Sequence, residues 1–450
     1  MTSDARLIRN ILIKDFRKFR NISATLKSQI DDPIYINVIE NTNAELWQRL
    51  RGIIGKLFTD QKLRQLIRKV DNNLVNLVDY LDNQLTGQSS SSSSASIVVD
   101  IKQMFINQSI DLMASVMFSM DKQNTFLDPL NRLTRLMKRL FFPSKWLILA
   151  QLVLPKFMLR VLNITDLVSA EALDEFTRLT NRELAKRLNN NMSSTSEPYD
   201  DYFQWLINRC PEIMSDGKTD ETTEILKNDQ TLSKNEVIAN IFSLITGAFD
   251  ANYLTLTYMA YELAVNPECQ QKLYDEIITC FRRLDNKSQK LGDQFDWDEV
   301  VKLDYLDACI SETLRLHYII NRDGRVANED YTDLTTGVTI KKDKVIHYSR
   351  PAVQRCPDYY PMPDKFIPDR FLKDNRHKLI DSAFLPFGLG RRMCPGYKFG
   401  LMAIKLTMAH LVMRYKFVKL DNNQTVFKTN PIVEHLIHSP ENLLLKIEKR

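Results

Sequence analysis

The chain has 450 residues, 44% hydrophobic and 26% charged, with 61 basic residues interleaved among 56 acidic ones for a formal charge of +5. That composition fits a soluble globular body and excludes wholesale nucleic-acid binding, though a local basic face can still dock an acidic partner or an anionic membrane. Cys210, Cys269, Cys280, Cys309, Cys356 and Cys394 form no CxxC and no paired spacing, which excludes a disulfide framework and points to a reducing environment.

The opening Met1-Thr2-Ser3-Asp4-Ala5-Arg6 carries no apolar signal or anchor run. Ser89 to Ser94 is a serine run, and residues 88–96 read as a serine-rich surface loop. Phe141 to Leu162 is apolar-rich but broken by Pro143, Lys145, Gln151, Pro155, Lys156 and Arg160, and its clean run Trp146 to Leu154 is too short to span a bilayer. As an amphipathic, partly basic segment it suits the plane of a membrane interface, and equally a buried helix pair.

The clearest helix covers 232–265. Ser233 and Glu236 make a capping-box pattern, and Asn266-Pro267 ends the run. Such a helix is about 48 Å long. It is apolar on most sides through Ile238 to Ile245, so it is predicted to cross the protein's interior. A second helix starts with Pro267 at its first position, and a third covers 303–317. Residues 322–350 hold short β-type runs with turn residues and predict a small sheet. Residues 351–395 are proline- and aromatic-rich and irregular, and helix resumes over 396–416. No internal repeat or linker interrupts this pattern. The expectation is a mainly α fold with a small β-sheet subdomain (α+β), forming one domain over 1–450.

The most informative segment runs from Phe384 to Gly396: FLPFGLGRRMCPG. Gly388, Gly390 and Gly396 permit backbone conformations that other residues resist. Phe387 is placed to shield the Cys394 sulfur, and Arg392 can pair with an anionic carboxylate. A lone cysteine is ordinarily a buried structural residue. Here Phe387-x-x-Gly390-x-Arg392-x-Cys394-x-Gly396 matches the haem-binding signature of the cytochrome P-450 family at every fixed position, and the chain resembles that family along its length, in particular its animal drug-metabolising and thromboxane-synthase-like branches.

The resemblance implies haem b (iron protoporphyrin IX) held through the Cys394 thiolate, which pushes electron density into iron and favours O–O cleavage. Glu312-Thr313-Leu314-Arg315 is similar to the family's ExxR and Pro368-Asp369-Arg370-Phe371 to its second arginine motif. Glu312, Arg315 and Arg370 are then implied to form a buried brace, structural rather than catalytic, that is costly to break. Trp47 and Arg51 resemble the pair that contacts a haem propionate, although an amphipathic helix explains their spacing as well. Arg325 lies where the family places another propionate arginine, with Arg322 as the neighbouring alternative.

On the long helix the family's small-residue pair, acid and threonine correspond to Gly247-Ala248-Phe249-Asp250-Ala251. The acid is present and the threonine is replaced by Ala251, so proton delivery is left to ordered water, Asn252 or Asp250 itself. An acid midway along an apolar helix is expensive unless used or satisfied. The resemblance also implies a membrane anchor and first strands ahead of the segment Leu7 to Phe16, so the chain reads as N-terminally truncated, its small sheet left with an unpaired edge.

The leading expectation is a monooxygenase that inserts one atom of dioxygen into an apolar or lipid-like substrate, with electrons from NADPH through a flavoprotein reductase. Arg391, Arg392 and Lys398 suit an acidic reductase face. The full-length protein is expected at the cytosolic face of the endoplasmic reticulum membrane. Two alternatives stay open: a haem-thiolate isomerase or dehydratase acting on lipid peroxides, and a haem-binding protein without catalysis.

Overall fold

The computed structural model describes residues 1–22, 34–39, 43–88, 96–121, 123–142, 146, 150, 153–162, 170–191, 199–214, 230–285, 297–420, 439–440 and 442–450. The serine run at 89–94 lies outside them, as do 143–145, 147–149 and 151–152 of the apolar-rich stretch. The principal helices are α1 (Ala5–Arg9), α2 (Ala44–Ile54), α3 (Asp60–Gln88), α4 (Ile101–Phe118), α5 (Arg132–Phe141), α6 (Ala170–Asn191), α7 (Lys234–Val265), α8 (Pro267–Asp285), α9 (Asp304–Leu316), α10 (Arg350–Gln354) and α11 (Tyr397–Arg414). The strands are β1 (Asn21–Ile22), β2 (Ser96–Asp100), β3 (Arg322–Val326), β4 (Tyr331–Thr332), β5 (Thr339–Ile340), β6 (Val345–Ser349), β7 (Tyr415–Val418) and β8 (Leu444–Lys449). The fold is mainly α with small antiparallel sheets.

The chain groups into two compact units, one of Met1–Ser23, Val70–Ser109 and Ala251–Arg450, the other of Ala24–Lys69 and Ile110–Asp250. The residues of α7 up to Asp250 are counted with the second unit and those from Ala251 with the first.

In the first unit β3 pairs antiparallel with β6, placing Asp323 opposite Tyr348 and Arg325 opposite Ile346. β1 takes the other side of β3. The outer edge of β6 meets Thr2 in a bridge to Tyr348, with Thr2 N–H donating to His347 O at 2.8 Å and Thr2 O accepting from Ser349 N–H at 3.2 Å. A second sheet, β2-β8-β7, joins residues more than 300 positions apart. Nothing in the sequence pattern pointed to it. Ile8, Leu12, Phe19, Tyr348, Val353, Tyr360 and Leu385 belong to one buried cluster between α1, β6 and the segment ahead of Cys394.

Local chemistry sets the helix ends. Ser233 and Glu236 form both arms of the capping box, Ser233 N–H to Glu236 Oε2 at 2.9 Å and Glu236 N–H to Ser233 Oγ at 3.2 Å. They satisfy donors that the first turn of α7 cannot pair internally. The most apolar window of α7 is long enough to cross a membrane, but 67% of it is buried inside the protein, as a core helix requires. α9 has Leu303 at its N-cap, which offers no side-chain acceptor. Glu276 of α8 supplies one instead, accepting from Tyr305 N–H at 2.8 Å and Leu306 N–H at 3.0 Å. At the other end of α9, His317 Nε2 meets Glu262 Oε1 of α7 at 2.6 Å, and the imidazole stacks on Tyr258 with ring centroids 4.3 Å apart.

In the second unit the buried Arg187–Asp201 pair is held by two 2.8 Å hydrogen bonds, with Arg187 also donating to Phe118 O at 3.1 Å. Asp111 of α4 is buried and accepts from Thr125 N–H and Thr125 Oγ1, which fastens the loop leading to α5.

Candidate haem-thiolate site

The sequence ahead of Cys394 builds a tight loop because its glycines take backbone angles closed to side chains. Gly388 lies at φ +75° and Gly390 at φ +73°, in the left-handed region. Gly390 is doubly constrained, since a Cβ there would sit 2.1 Å from Leu12 O. Gly396 departs from the expectation: it takes φ −89° as the N-cap of α11, a conformation open to any residue. Its requirement therefore does not come from backbone strain.

Leu385 O accepts from Gly388 N–H at 3.2 Å, Gly390 O from Met393 N–H at 3.1 Å, and Phe387 O from Cys394 N–H at 2.8 Å. The loop thus folds back so that Phe387 and Cys394 face each other across one backbone bond. Phe387 leans on Tyr397 with ring centroids 6.1 Å apart. Cys394 is half-buried, is in no disulfide, and stands two residues before the N-cap of an 18-residue helix. The electropositive end of a helix favours a thiolate over a thiol. Elsewhere burial has the opposite effect, pushing the Cys210 thiol up to about 11 and that of the fully enclosed Cys309 well above its ordinary value.

Beside the loop lies a concentration of arginine. Arg392 Nε donates to Arg20 O at 2.8 Å. Burial pushes its guanidinium down to about 9, with Arg325 and then Arg20 adding to the effect and Asp323 opposing it. Arg325 is buried on β3 and donates through Nη1 to Asp323 Oδ1 at 3.1 Å and Gly324 O at 2.9 Å, and its Nε is buried with no hydrogen-bond partner. Arg322, the alternative, is exposed at the start of the same strand. Arg350 donates to Pro386 O at 3.2 Å, lies 3.8 Å from Asp323 Oδ2, and also has a buried Nε without a partner. Asp323 counters this charge: burial would raise its carboxyl, but Arg325, Arg350, the Tyr348 hydroxyl and Gly324 N–H together hold it below the usual range. One carboxylate against several guanidiniums, two of them with orphaned buried N–H groups, leaves an excess of positive charge and donors. Carboxylates of a ligand would complete it, and the edge of a haem carries such groups.

Glu312, Arg315 and Arg370 come together behind the loop. Glu312 and Arg315 are fully buried and paired twice, at 2.7 and 2.8 Å. Arg370 Nε reaches Glu312 Oε1 at 3.3 Å and Ile367 N–H reaches the same oxygen at 2.9 Å. Arg315 spends its remaining donors on Gln354 O, Pro363 O and Lys365 O at 2.9, 2.7 and 3.2 Å, with Tyr360 under its guanidinium. Each charge is matched by hydrogen bonds, the condition under which a buried ion network is tolerated.

On α7 the groups near the expected threonine position divide. Asp250 and Ala251 are half-buried. Asn252 is buried and donates both amide protons, to Gln108 Oε1 at 3.2 Å and Ser109 Oγ at 2.8 Å, in a network that continues to Asn73. Its donors hold α4. Thr255, one turn further on, donates to Ala251 O at 2.7 Å, so its proton is engaged within the helix. Trp47 and Arg51 lie one turn apart on α2 in the second unit, Trp47 buried and Arg51 half-buried.

Asp323, Arg350, Gln354 and Glu276 were missed by the sequence reading. No motif marks them, and Asp323 and Arg350 become neighbours only through the register of β3 on β6.

Known proteins resemble this chain along most of its length. The family model for cytochrome P450 matches residues 1–446. Among curated proteins the chain is similar to cytochrome P450 3A30 of Fundulus heteroclitus, at 25% identity with 100% of this chain and 83% of the relative covered. It is similar to cytochrome P450 3A1 of Rattus norvegicus at 27%, covering 100% and 82%, and to cytochrome P450 9b2 of Drosophila melanogaster at 27%, covering 92% and 77%.

Proposed function

The chain belongs to the cytochrome P450 family, a family of monooxygenases, and from that premise we propose that Cys394 is the thiolate ligand of a haem b with which this protein oxygenates an apolar substrate. The observation that carries the reading is the Cys394 loop beside an arginine pocket in which Arg325 Nε and Arg350 Nε are buried with no hydrogen-bond partner among the described residues. When bound, haem supplies the redox-active iron at which dioxygen is activated, so that one oxygen atom enters the substrate and the other leaves as water.

The residues then take distinct roles. Gly388 and Gly390 give the loop its turn, and the N-terminal end of α11 stabilises the Cys394 anion. Phe387 covers the sulfur side. Arg392 and Arg325, with Arg350 beside them, bind the haem carboxylates. Glu312, Arg315 and Arg370 brace the segment behind the loop. On the substrate side Asp250 is the group available to hand on a proton, through ordered water, because Ala251 has no hydroxyl and that of Thr255 is engaged.

Electrons come from NADPH through a flavoprotein reductase that docks at the basic residues Arg391 and Lys398. Trp146, Phe157, Val161 and Leu162 are exposed and fit peripheral contact with the endoplasmic reticulum membrane.

The test supplies haem-loaded protein with NADPH, a flavoprotein reductase and an apolar probe substrate under labelled dioxygen. The expected result is reductase-dependent appearance of one labelled oxygen atom in product. Turnover of a lipid hydroperoxide with no reductase present, and no label from dioxygen, would instead make the protein an isomerase or dehydratase.

A further inference from the structure

The brace and the thiolate loop are separate in sequence, and the Gln354 side chain is hydrogen-bonded to the segments that carry both. Gln354, the last residue of α10, is fully buried. Its Nε2 donates to Leu314 O and Arg315 O, both at 3.0 Å. Those carbonyls lie in the last turn of α9, where helix carbonyls lack internal partners. Its Oε1 accepts from Leu385 N–H at 2.9 Å, and its own backbone carbonyl takes Arg315 Nη1 at 2.9 Å. From Leu385 the path continues by Leu385 O to Gly388 N–H, and by Phe387 O to Cys394 N–H. A buried amide can make two donations and at least one acceptance, and here all of these are made.

We propose that Gln354 is a positioning residue for the metal ligand: it sets the register in which the strand-like segment Leu385-Pro386-Phe387 enters the loop, and so fixes where Cys394 presents its sulfur. The proposal rests on Cys394 being the ligand. The brace alone does not do this, because Glu312, Arg315 and Arg370 make no hydrogen bond to residues 384–396 among those described. Among the described residues the hydrogen-bonded connection passes through the Gln354 amide, with Arg350 adding a contact to Pro386 O and Phe371 packing on Phe384 at 4.7 Å between ring centroids. The assignment is specific to the amide group. A side chain of equal length that cannot hydrogen-bond keeps the volume and leaves Leu385 N–H and two helix carbonyls buried without partners.

The experiment compares Gln354→Met with the neighbouring packing control Val353→Ala, Val353 being equally buried. Amide hydrogen exchange is resolved at residues 384–396, and the carbon-monoxide difference spectrum of the haem-loaded protein is recorded. Gln354→Met is expected to speed exchange of the Leu385 amide about tenfold and to raise the share of protein whose haem has lost its thiolate. Val353→Ala, which thins the packing of the cluster that holds Leu385, is expected to change both far less. Wild-type exchange and spectrum in Gln354→Met, or the same changes in Val353→Ala, would overturn the assignment. If Gln354→Met does not fold, wild-type exchange in sub-denaturing urea decides. Segments 312–316 and 384–396 opening together support the link, and 384–396 opening on its own refutes it. A wild-type protein without a thiolate spectrum would refute the ligand reading, and the exchange result would still report on the link.

Discussion

At Gly390 one methyl group decides whether the thiolate loop can close. The clash with Leu12 O and the left-handed backbone act together, so Gly390→Ala is predicted to cost more than about 2 kcal/mol, read as a lowered urea midpoint and reduced haem content. Glu312→Ala strands the Arg315 charge in the interior, which typically costs about 3–5 kcal/mol. The expected outcome is loss of haem or of folded protein, and a normally folded holo-variant would deny Glu312 its bracing role. Ala251 makes a prediction of the opposite sign. On the proposed function, Ala251→Thr places a hydroxyl beside Asp250 and should raise product formed per reductant consumed, with less peroxide released; unchanged peroxide leakage would remove that argument. The signature around Cys394 was legible at this scale because its spacing is local. Asp323, Arg350 and Gln354 were not, because their partners are set by strand register and by contacts 31 to 40 residues away.

At the scale of elements, caps and loop clamps carry the measurable energetics. Glu276 caps α9 from a neighbouring helix. Glu276→Ala should lower stability by about 1 kcal/mol, and Glu276→Gln, which keeps an acceptor, by less; equal losses in thermal melts would contradict the capping role. Asp111 gives a pH signature. Burial raises its carboxyl from 3.8 to about 6 against the opposing hydrogen bonds of Thr125. The folded state therefore binds more protons than the unfolded state between those values, and stability falls as pH rises through that window, by about 2–3 kcal/mol from this group. In Asp111→Asn that part of the slope should vanish. Capping signals such as Ser233 and Glu236 could be read directly, since both partners lie within one turn. The β2-β8-β7 sheet could not: β2 follows a serine run, and its partner is at the far end of the chain.

For the molecule as a whole, the long buried helix, the mixed α and β character and the family were legible, since periodicity and short motifs carry them. The division into two units, each assembled from separated stretches of chain, depends on long-range contacts that no local pattern records. What the whole fold does for function converges on one sulfur atom. On the proposed function, the helix end, the two left-handed glycines, the arginine pocket and the brace all serve to hold Cys394 as a haem thiolate. The most direct measurement is the carbon-monoxide difference spectrum of the reduced, haem-loaded protein, with Cys394→Ser beside it. The account predicts the strongly red-shifted Soret band of a thiolate haem in the wild type and its loss in Cys394→Ser. A wild type without that band, or a Cys394→Ser protein that keeps it, would contradict the account.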